Sequence, residues 1–447
     1  MTVGLPERPR LAEHVIAGHH VTAGREVVLL NDTRDDSRYE IELHEWDALS
    51  TADGTRDLDG IVLAAAARGS LRRISALHGM LAGLHEAGLL LPGTASPRAP
   101  FEEPPATPAA RPVEPLSGFS LTCDGHGTCC RTYGSIAFTA DEADRARVLA
   151  RPDVPASWLF TPHHGSREAE HLAAALVSGS CAFLDGSGGC RIHAAGGAHA
   201  KPLGCRHYPA SFTDDGVSVR VSVGLECACV ARSARPSDGA PLTDARYASD
   251  LPAATRIQRL TRDIVIRPGD SVPREALSSW TRVLLCDPPI DALDGFFRVA
   301  HTVEQHGLAT WCASSDVPSS ARDSSIERAH AIAESAARAQ TTLGDRSDVS
   351  THAGLAWIAS AEPSARDLVP ATALDSVESL YLRAVLHGHQ ALQPDLATAL
   401  SLRAARVVLA RAMSRKSTPE ALRWFAHPVV AIESLSRALG LAATRAA

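Results

Sequence analysis

The chain carries its most distinctive stretch, FSLTCDGHGTCCR, at residues 119–131. Three more cysteine-bearing stretches follow: CAFLDGSGGCRIH at 181–193, KPLGCRHYPASF at 201–212 and VGLECACV at 223–230. Eight of the ten cysteines in 447 residues therefore lie in one part of the chain. Thiolates are soft metal ligands, and the small residues around them give a loop the freedom to bring several donors together. The clustering predicts a site for a metal ion or an iron-sulfur cluster, with reduced structural cysteines as the alternative.

The start of the chain has no basic segment followed by an apolar one, which is the pattern of a secretory signal. Its longest aliphatic stretch, residues 61–67, is far shorter than the roughly 20 apolar residues that cross a bilayer. We therefore expect a cytoplasmic protein with no membrane partner, whose cysteines stay reduced rather than forming disulfides. A formal net charge of -7 gives no concentrated basic surface, so we expect no nucleic-acid partner.

The cysteine stretches resemble the YkgJ-type cysteine-cluster family of zinc- or iron-chelating proteins, whose signature runs CxxCxxCC, CxFL, CxIY and RPxxCRxFP. The resemblance covers residues 119–212. In the first block His126 stands where the signature has its second cysteine. Imidazole is also a metal ligand, so four donors remain in that block. The matching positions are Cys123, Cys129 and Cys130; Cys181, Phe183 and Leu184; Cys190 and Ile192; and Pro202, Cys205, Arg206 and Pro209.

The expected ligands are the eight clustered cysteines and one histidine: Cys123, His126, Cys129, Cys130, Cys181, Cys190, Cys205, Cys227 and Cys229. Which of them share a site stays open. If His126 does not ligate, Cys123, Cys129, Cys130 and Cys205 are the natural first group and the other four the second. The metal is zinc or iron, and the iron is mononuclear, multinuclear or part of an iron-sulfur cluster.

Three polar residues beside these cysteines are candidates for contacts to the cluster or to a substrate. Arg206 and His207 follow Cys205 directly, and His193 lies three residues after Cys190. Arg206 could donate to cluster sulfur or bind an anionic substrate. The alternatives are a packing role for His193 and a structural carboxylate partner for Arg206.

Composition along the chain predicts an α+β protein with three domains. Residues 92–115 contain eight prolines in 24 positions and are typical of an extended linker. Around it we expect an N-terminal winged-helix domain at 1–91, a cysteine-rich metal-binding domain with few strands at 116–235, and a mostly α-helical bundle at 236–447.

The N-terminal domain combines strands with helices. His20–Leu30 and Arg38–Leu43 have strand patterns, and Leu58–Ala67 and Leu71–Ala87 have helical ones. The order resembles the PqqD-like family of RiPP recognition elements, in which a leader peptide adds as a strand beside the sheet and lies against the last helix. The resemblance implies peptide contacts at Tyr39, Ile41, Leu43, Leu77, Leu81 and Leu84. A docking or dimerisation unit is the alternative.

The C-terminal part has helical periodicity, with apolar stripes at Leu277–Leu284 and Phe296–Val303 and three amphipathic helices at Leu374–Leu386, Leu396–Ala412 and Pro419–Leu439. Together with the cysteines it resembles the flagellin lysine-N-methylase family. That resemblance implies S-adenosylmethionine as a cofactor. The radical S-adenosylmethionine spacing CxxxCxxC does not occur in the sequence.

These features favour a metal- or iron-sulfur-dependent enzyme that modifies a ribosomally synthesised peptide or protein captured by the N-terminal domain. Methyl transfer and iron-dependent oxidation are both compatible with it. The alternative is a non-catalytic zinc- or iron-binding scaffold that presents a precursor peptide to a partner enzyme. The sequence does not determine the metal, the peptide, the reaction or the oligomeric state.

The placement of the metal site can be tested by replacing Cys129 and Cys130 together with serine. We expect the metal content per chain, measured by elemental analysis after anaerobic purification, to fall by at least one site. The matched control is Cys286→Ser, outside the clustered segment, which should keep the full metal content. A Cys129→Ser, Cys130→Ser variant that keeps its full content would contradict this placement.

Overall fold

The protein is a mixed α+β structure with small sheets, seen in a computed structural model. The structure describes residues 5–12, 15–22, 25–32, 38–67, 74–93, 107–123, 127, 130, 137–156, 159–162, 171–174, 176–177, 180–235, 239–252, 255, 257–286, 291–308, 318–343, 349–369, 375–392 and 395–435. Across these residues, no helix is both long enough and apolar enough to cross a membrane.

The strands are β1 (Pro9–Leu11), β2 (Val15–Thr22), β3 (Arg25–Asp32), β4 (Arg38–Glu42), β5 (Leu90–Pro92), β6 (Val113–Pro115), β7 (Ala137–Thr139), β8 (Phe160–Pro162), β9 (His171–Ala174), β10 (Leu176–Val177), β11 (Ser180–Cys181), β12 (Ala210–Asp214), β13 (Val219–Val223), β14 (Ile257–Arg259), β15 (Asp263–Arg267) and β16 (Asp270–Pro273). The helices are α1 (Leu43–Leu49), α2 (Leu58–Ala67), α3 (Ile74–Glu86), α4 (Ala140–Arg147), α5 (Arg191–Ala200), α6 (Leu203–His207), α7 (Ala228–Arg232), α8 (Arg274–Cys286), α9 (Ala292–His306), α10 (Ser319–Leu343), α11 (Val349–Ala359), α12 (Ser376–His387), α13 (Leu396–Ser414), α14 (Pro419–Phe425) and α15 (Pro428–Ser434).

The chain divides into two compact units. Unit 1 combines Met1–Glu103 with Cys130–Arg206, and unit 2 combines Pro104–Cys129 with His207–Ala446. This grouping differs from the predicted domains, because part of the predicted cysteine-rich domain joins the N-terminal residues. The physical reason is a pairing between strands far apart in sequence, which no local pattern encodes.

The N-terminal part of unit 1 is built on the β2–β3–β4 meander, in which each strand pairs antiparallel with the next. The expected strand from His20 to Leu30 is instead two strands, since β2 ends at Thr22 and β3 begins at Arg25. Helices α1, α2 and α3 cover one face. Their shared core consists of side chains that are almost fully buried: Leu30, Trp46, Leu49, Ile61, Leu81, Leu89 and Leu90. Gly88, with a φ of +73°, follows the end of α3, as predicted.

A second part of the chain extends this sheet on its other side. Strand β10 pairs parallel with β2 through Leu176 opposite His20 and Val177 opposite Val21. Strand β11 then pairs antiparallel with β10. The resulting sheet has the order β11-β10-β2-β3-β4. The residues that carry Cys181 are therefore part of the N-terminal sheet.

The rest of unit 1 has its own hydrophobic cluster around three aromatic rings. Phe138 lies 5.0 Å from Phe160 and 5.8 Å from Phe183, measured between ring centroids. Helix α4 begins beside them with a capping box, in which the Glu142 amide donates to the Thr139 hydroxyl at 3.2 Å. Cys181 and Cys190 pack against this cluster.

Unit 2 contains a four-stranded sheet of order β14-β12-β13-β6, the β15–β16 hairpin and helices α7–α15. The predicted stripes at Leu277–Leu284 and Phe296–Val303 face the core of this unit from α8 and α9, except that Val283, predicted as part of the first stripe, is 64% exposed. The predicted helix from Pro419 to Leu439 is instead two helices. Ala426 adopts a φ of +63° and Pro428 cannot donate a helical hydrogen bond, so α14 ends and α15 begins there.

A fully enclosed ion network holds three helices of unit 2 together. The Glu433 carboxylate on α15 accepts from Arg403 Nη1 at 2.9 Å and Arg406 Nη1 at 2.8 Å, both on α13, and from the Tyr381 hydroxyl on α12. Burial raises the pKa of a carboxyl group, but Arg406 and Arg403 outweigh burial and hold the pKa of Glu433 at about 2. The carboxylate is therefore ionised at neutral pH and paired with two buried guanidinium groups.

Removing the negative charge at this position should be strongly destabilising. Glu433→Gln leaves two buried arginines without their carboxylate, and breaking a buried ion pair costs about 3–5 kcal/mol. The free energy of unfolding, measured by urea denaturation at pH 7.5, should fall by about that amount.

The matched control is Glu334→Gln on α10. Glu334 pairs with Arg338 at 3.8 Å, with both side chains about 70% exposed. Such surface pairs contribute roughly 0–1 kcal/mol. Equal losses of stability in the two variants would contradict the role given to Glu433.

Candidate peptide-binding edge and cysteine sites

In the part of the chain that the structure describes, strand β4 lies at one edge of the five-stranded sheet, and β11 lies at the other. On its inner side it pairs with β3 in register, from Val27 opposite Glu42 to Asn31 opposite Arg38. An edge strand offers a template on which an extended chain can add through main-chain hydrogen bonds. The predicted peptide-binding strand therefore lies at the position in the sheet that such binding requires.

The two faces of β4 have opposite character. Tyr39 and Ile41 lie opposite Leu30 and Val28, and all four side chains contribute to the hydrophobic core. Glu40 and Glu42 alternate with them and are exposed. The strand thus presents Tyr39 and Ile41 on its core face and Glu40 and Glu42 on the other face, where they lie beside Leu29 and Val27 of β3.

The predicted peptide contacts are not equivalent in the structure. The side chains of Ile41, Leu81 and Leu84 are at most 5% exposed and belong to the core of unit 1. Tyr39 and Leu77 are only partly buried and keep surface that a peptide can contact. Leu43 is not part of the strand as predicted: Glu42 caps a helix there, so Leu43 is the first residue of α1, and its side chain lies outside what the structure describes.

A small cavity lies beside the first residues of this part of unit 1. Its volume is about 260 Å³, and its lining combines apolar and acidic side chains: Leu5, Pro6, Glu7, Pro9, Asp57, Leu58, Asp59, His78 and Leu81. Asp57 caps α2 by accepting from the Gly60 amide at 2.8 Å. The cavity is large enough for one side chain, and its carboxylates favour a cationic one.

Cys181 and Cys190 bracket a tight loop in unit 1. The loop is closed by a bridge between Leu184 and Cys190. Inside it, the Asp185 carboxylate accepts from the Ser187 hydroxyl at 2.6 Å and the Gly189 amide at 2.8 Å, and these hydrogen bonds hold the pKa of Asp185 below its usual value. The glycine-rich stretch therefore binds its own aspartate.

The compact units group the cysteines in a way that the sequence does not reveal. Unit 1 contains Cys130, Cys181, Cys190 and Cys205, all partly buried. Unit 2 contains Cys227 and Cys229, both buried, and the exposed Cys123. No disulfide joins any cysteine that the structure describes.

Within unit 2, hydrogen bonds bring the segment before Cys123 next to the helix that carries Cys229. The Thr122 amide donates to the Ser233 hydroxyl at 3.0 Å. The Ser233 amide in turn donates to the Cys229 carbonyl at 2.9 Å. Cys123 and Cys229 therefore lie on neighbouring segments of this unit.

The described residues do not assemble a complete metal site. Among them, no three His, Cys, Asp or Glu side chains lie together in a group that could hold a metal ion. The predicted ligands His126 and Cys129 lie outside the described residues. A four-donor metal or cluster site thus stays a prediction, and the arrangement seen here does not by itself fit one.

The three polar residues beside the cysteines, Arg206, His207 and His193, have different surroundings. Arg206 and His193 are exposed. The ring of His207 lies 5.1 Å from that of Phe212, measured between centroids. The packing of His207 favours a structural role for it, whereas the other two side chains remain accessible.

Comparison with known proteins adds no assignment. A scan against protein-family models, a search of curated proteins and a search of solved structures each returned no match. The resemblances to the YkgJ-type, PqqD-like and flagellin lysine-N-methylase families stay predictions.

A buried polar network that was not predicted from the sequence is centred on Asp215, in the turn between β12 and β13. One oxygen of its carboxylate accepts from Arg220 Nε at 2.8 Å and from the Ser278 hydroxyl at 2.6 Å, and His389 Nε2 lies 3.4 Å away. The other oxygen accepts from the Ser218 amide at 2.7 Å. The available signal was the turn sequence DDG at 214–216, which favours an aspartate-capped hairpin.

This network is structural rather than catalytic in its geometry. Ser278 donates to Asp215, and the carboxylate, serine and His389 are all almost fully buried. Burial raises the pKa of an aspartate, but hydrogen bonds from His389 and Ser278 hold the pKa of Asp215 far below its usual value. The network fixes the hairpin against α8 and the residues that follow α12.

The adjacent His387 makes the stability of unit 2 dependent on pH. Burial, followed by the positive charge of Arg220, lowers the pKa of His387 from 6.5 to about 4. Between those values the unfolded chain binds a proton that the folded chain does not, so stability falls as the pH falls. We expect the free energy of unfolding to lose about 2 kcal/mol from this group between pH 7.5 and pH 5.0, in urea titrations.

The variant His387→Gln removes the titrating group and should flatten this pH dependence by about the same amount. His330→Gln, at an exposed position on α10, serves as the control and should keep the pH dependence of the unmodified protein. An unchanged pH dependence in the His387 variant would show that this histidine does not carry the effect.

Proposed function

We propose that the protein is a metal- or iron-sulfur-dependent enzyme that modifies a ribosomally synthesised peptide or protein, and that β4 captures this substrate. The observation that carries the proposal is the position of β4 at the edge of its sheet. Main-chain hydrogen bonds along such an edge bind an extended peptide, and side chains on its two faces select the sequence.

The topology of unit 1 supports a link between capture and chemistry. The sheet that ends in β4 also contains β11, which carries Cys181. The loop that follows β11 carries Cys190. A peptide bound at β4 would therefore lie on the same sheet as part of the thiol-bearing segment.

The chemistry is proposed from the cysteine clustering. A bound iron centre would supply redox chemistry, and S-adenosylmethionine would supply a methyl group. The described residues contribute capture of the peptide at β4 and accessible polar side chains at Arg206 and His193. We assign no reaction step to a metal, because the described residues do not assemble its site.

A non-catalytic scaffold is the second candidate, and one observation favours it. Cys227 and Cys229 are 6% and 9% exposed and belong to the hydrophobic core of unit 2. Structural metal sites are closed by protein ligands, whereas catalytic ones keep an open coordination position. Buried thiols are thus more typical of a structural site.

Anaerobic purification of the full chain, followed by elemental analysis and an absorption spectrum, tests the enzyme proposal directly. We expect bound iron, with charge-transfer absorption from thiolate or sulfide ligands. A colourless protein that contains only stoichiometric zinc would contradict redox chemistry and favour the scaffold. In that case incorporation of a labelled methyl group from S-adenosylmethionine into peptide separates a methyl-transferring enzyme from a scaffold.

A further inference from the structure

The two faces of β4 define what kind of peptide fits beside it. In an antiparallel or parallel neighbour, side chains alternate between the same two faces as those of β4. Peptide residues that lie beside Glu40 and Glu42 point to the same exposed face as these glutamates. The peptide residues in between point to the face of Tyr39 and Ile41. The edge therefore distinguishes peptides by their period-two pattern.

We infer that the partner of β4 is an extended peptide in which basic and apolar residues alternate. This inference rests on the proposed capture of peptide at β4 and names the class of peptide captured. Opposite charges on adjacent strands stabilise a sheet, and like charges destabilise it. Glu40 and Glu42, the second of which also caps α1, thus favour Lys or Arg at the two positions of the incoming strand that lie beside them.

The apolar face of β4 determines which residues fit at the remaining positions of the peptide. Tyr39 is partly buried and packs against the core of unit 1. Its partner on β3, Leu30, is fully buried. An apolar residue of the added strand on this face would cover the exposed part of Tyr39 and extend the core by one strand.

The net negative charge of the residues around β4 also favours a basic peptide. Residues 1–91 contain 14 Asp and Glu but only nine Arg and no Lys. The cavity near Glu7 and Asp59 is also acidic. An acidic peptide would be repelled both by the face of β4 and by its surroundings, so a basic one is favoured.

The inference can be tested with nine-residue fluorescent peptides and the full-length protein in 0.15 M salt. The peptides alternate Val with Lys, with Thr or with Glu, and a fourth contains the Lys and Val residues in two separate blocks. We expect the alternating Lys peptide to bind roughly 3- to 30-fold more tightly than the Thr peptide. The Glu peptide and the block peptide should bind more weakly than the alternating Lys peptide.

A charge-reversal variant locates the effect. Glu40→Lys should weaken binding of the alternating Lys peptide by about fivefold and strengthen binding of the Glu peptide. Glu334→Lys on α10 makes the same change of net charge at an exposed position of unit 2 and should leave both affinities within about twofold. Circular dichroism checks that both variants are folded.

The outcomes separate this inference from the proposed function. Equal binding of the Lys, Thr and Glu peptides would overturn the basic pattern but leave capture at the edge in place. Equal effects of the Glu40 and Glu334 variants would place recognition away from β4 and overturn the inference. Failure of every peptide to bind would overturn both the inference and the capture step, whatever the metal content.

Discussion

The parallel pairing of β10 with β2 is the contact on which the proposed function depends most. Only two residue pairs form it, Leu176 with His20 and Val177 with Val21. It nevertheless joins the thiol-bearing segment to the sheet whose far edge is β4. Neighbouring strands lie about 4.8 Å apart, so β11 and β4 are separated by roughly 19 Å across one hydrogen-bonded layer. The proposed peptide-binding edge and the cysteine loop thereby belong to a single compact unit.

Unit 2 depends on a different constraint, which is the complete pairing of buried charge. Glu433 and Asp215 are both fully buried carboxylates, and each is ionised because guanidinium groups or hydroxyls surround it. A buried charge that loses its partner is far more costly than a surface one. These two networks fix where the helices of the bundle and the β12–β13 hairpin meet, and they place no reactive group at the surface.

Local patterns in the sequence predicted local structure well. The strand pattern at Arg38–Leu43 predicted β4 except for its last residue, which begins α1, and the periodicity of residues 58–67 predicted α2. The strands at the opposite edge of this sheet could not be predicted, because they depend on residues 176–177 pairing about 150 positions away from β2. The Asp215 network was missed for the same reason, since its partners Ser278 and His389 are remote in sequence. The cysteine spacing predicted a metal site, but its central residues, His126 and Cys129, lie outside the described structure.

Hydrogen–deuterium exchange of the full-length protein, with and without the alternating Lys–Val peptide, tests the central claim most directly. An added strand should slow exchange of the β4 amides, at Arg38–Glu42, as new main-chain hydrogen bonds form. Exchange in the helices of unit 2 should not change. Protection that appears elsewhere and leaves β4 unchanged, while the peptide is bound, would contradict capture at this edge.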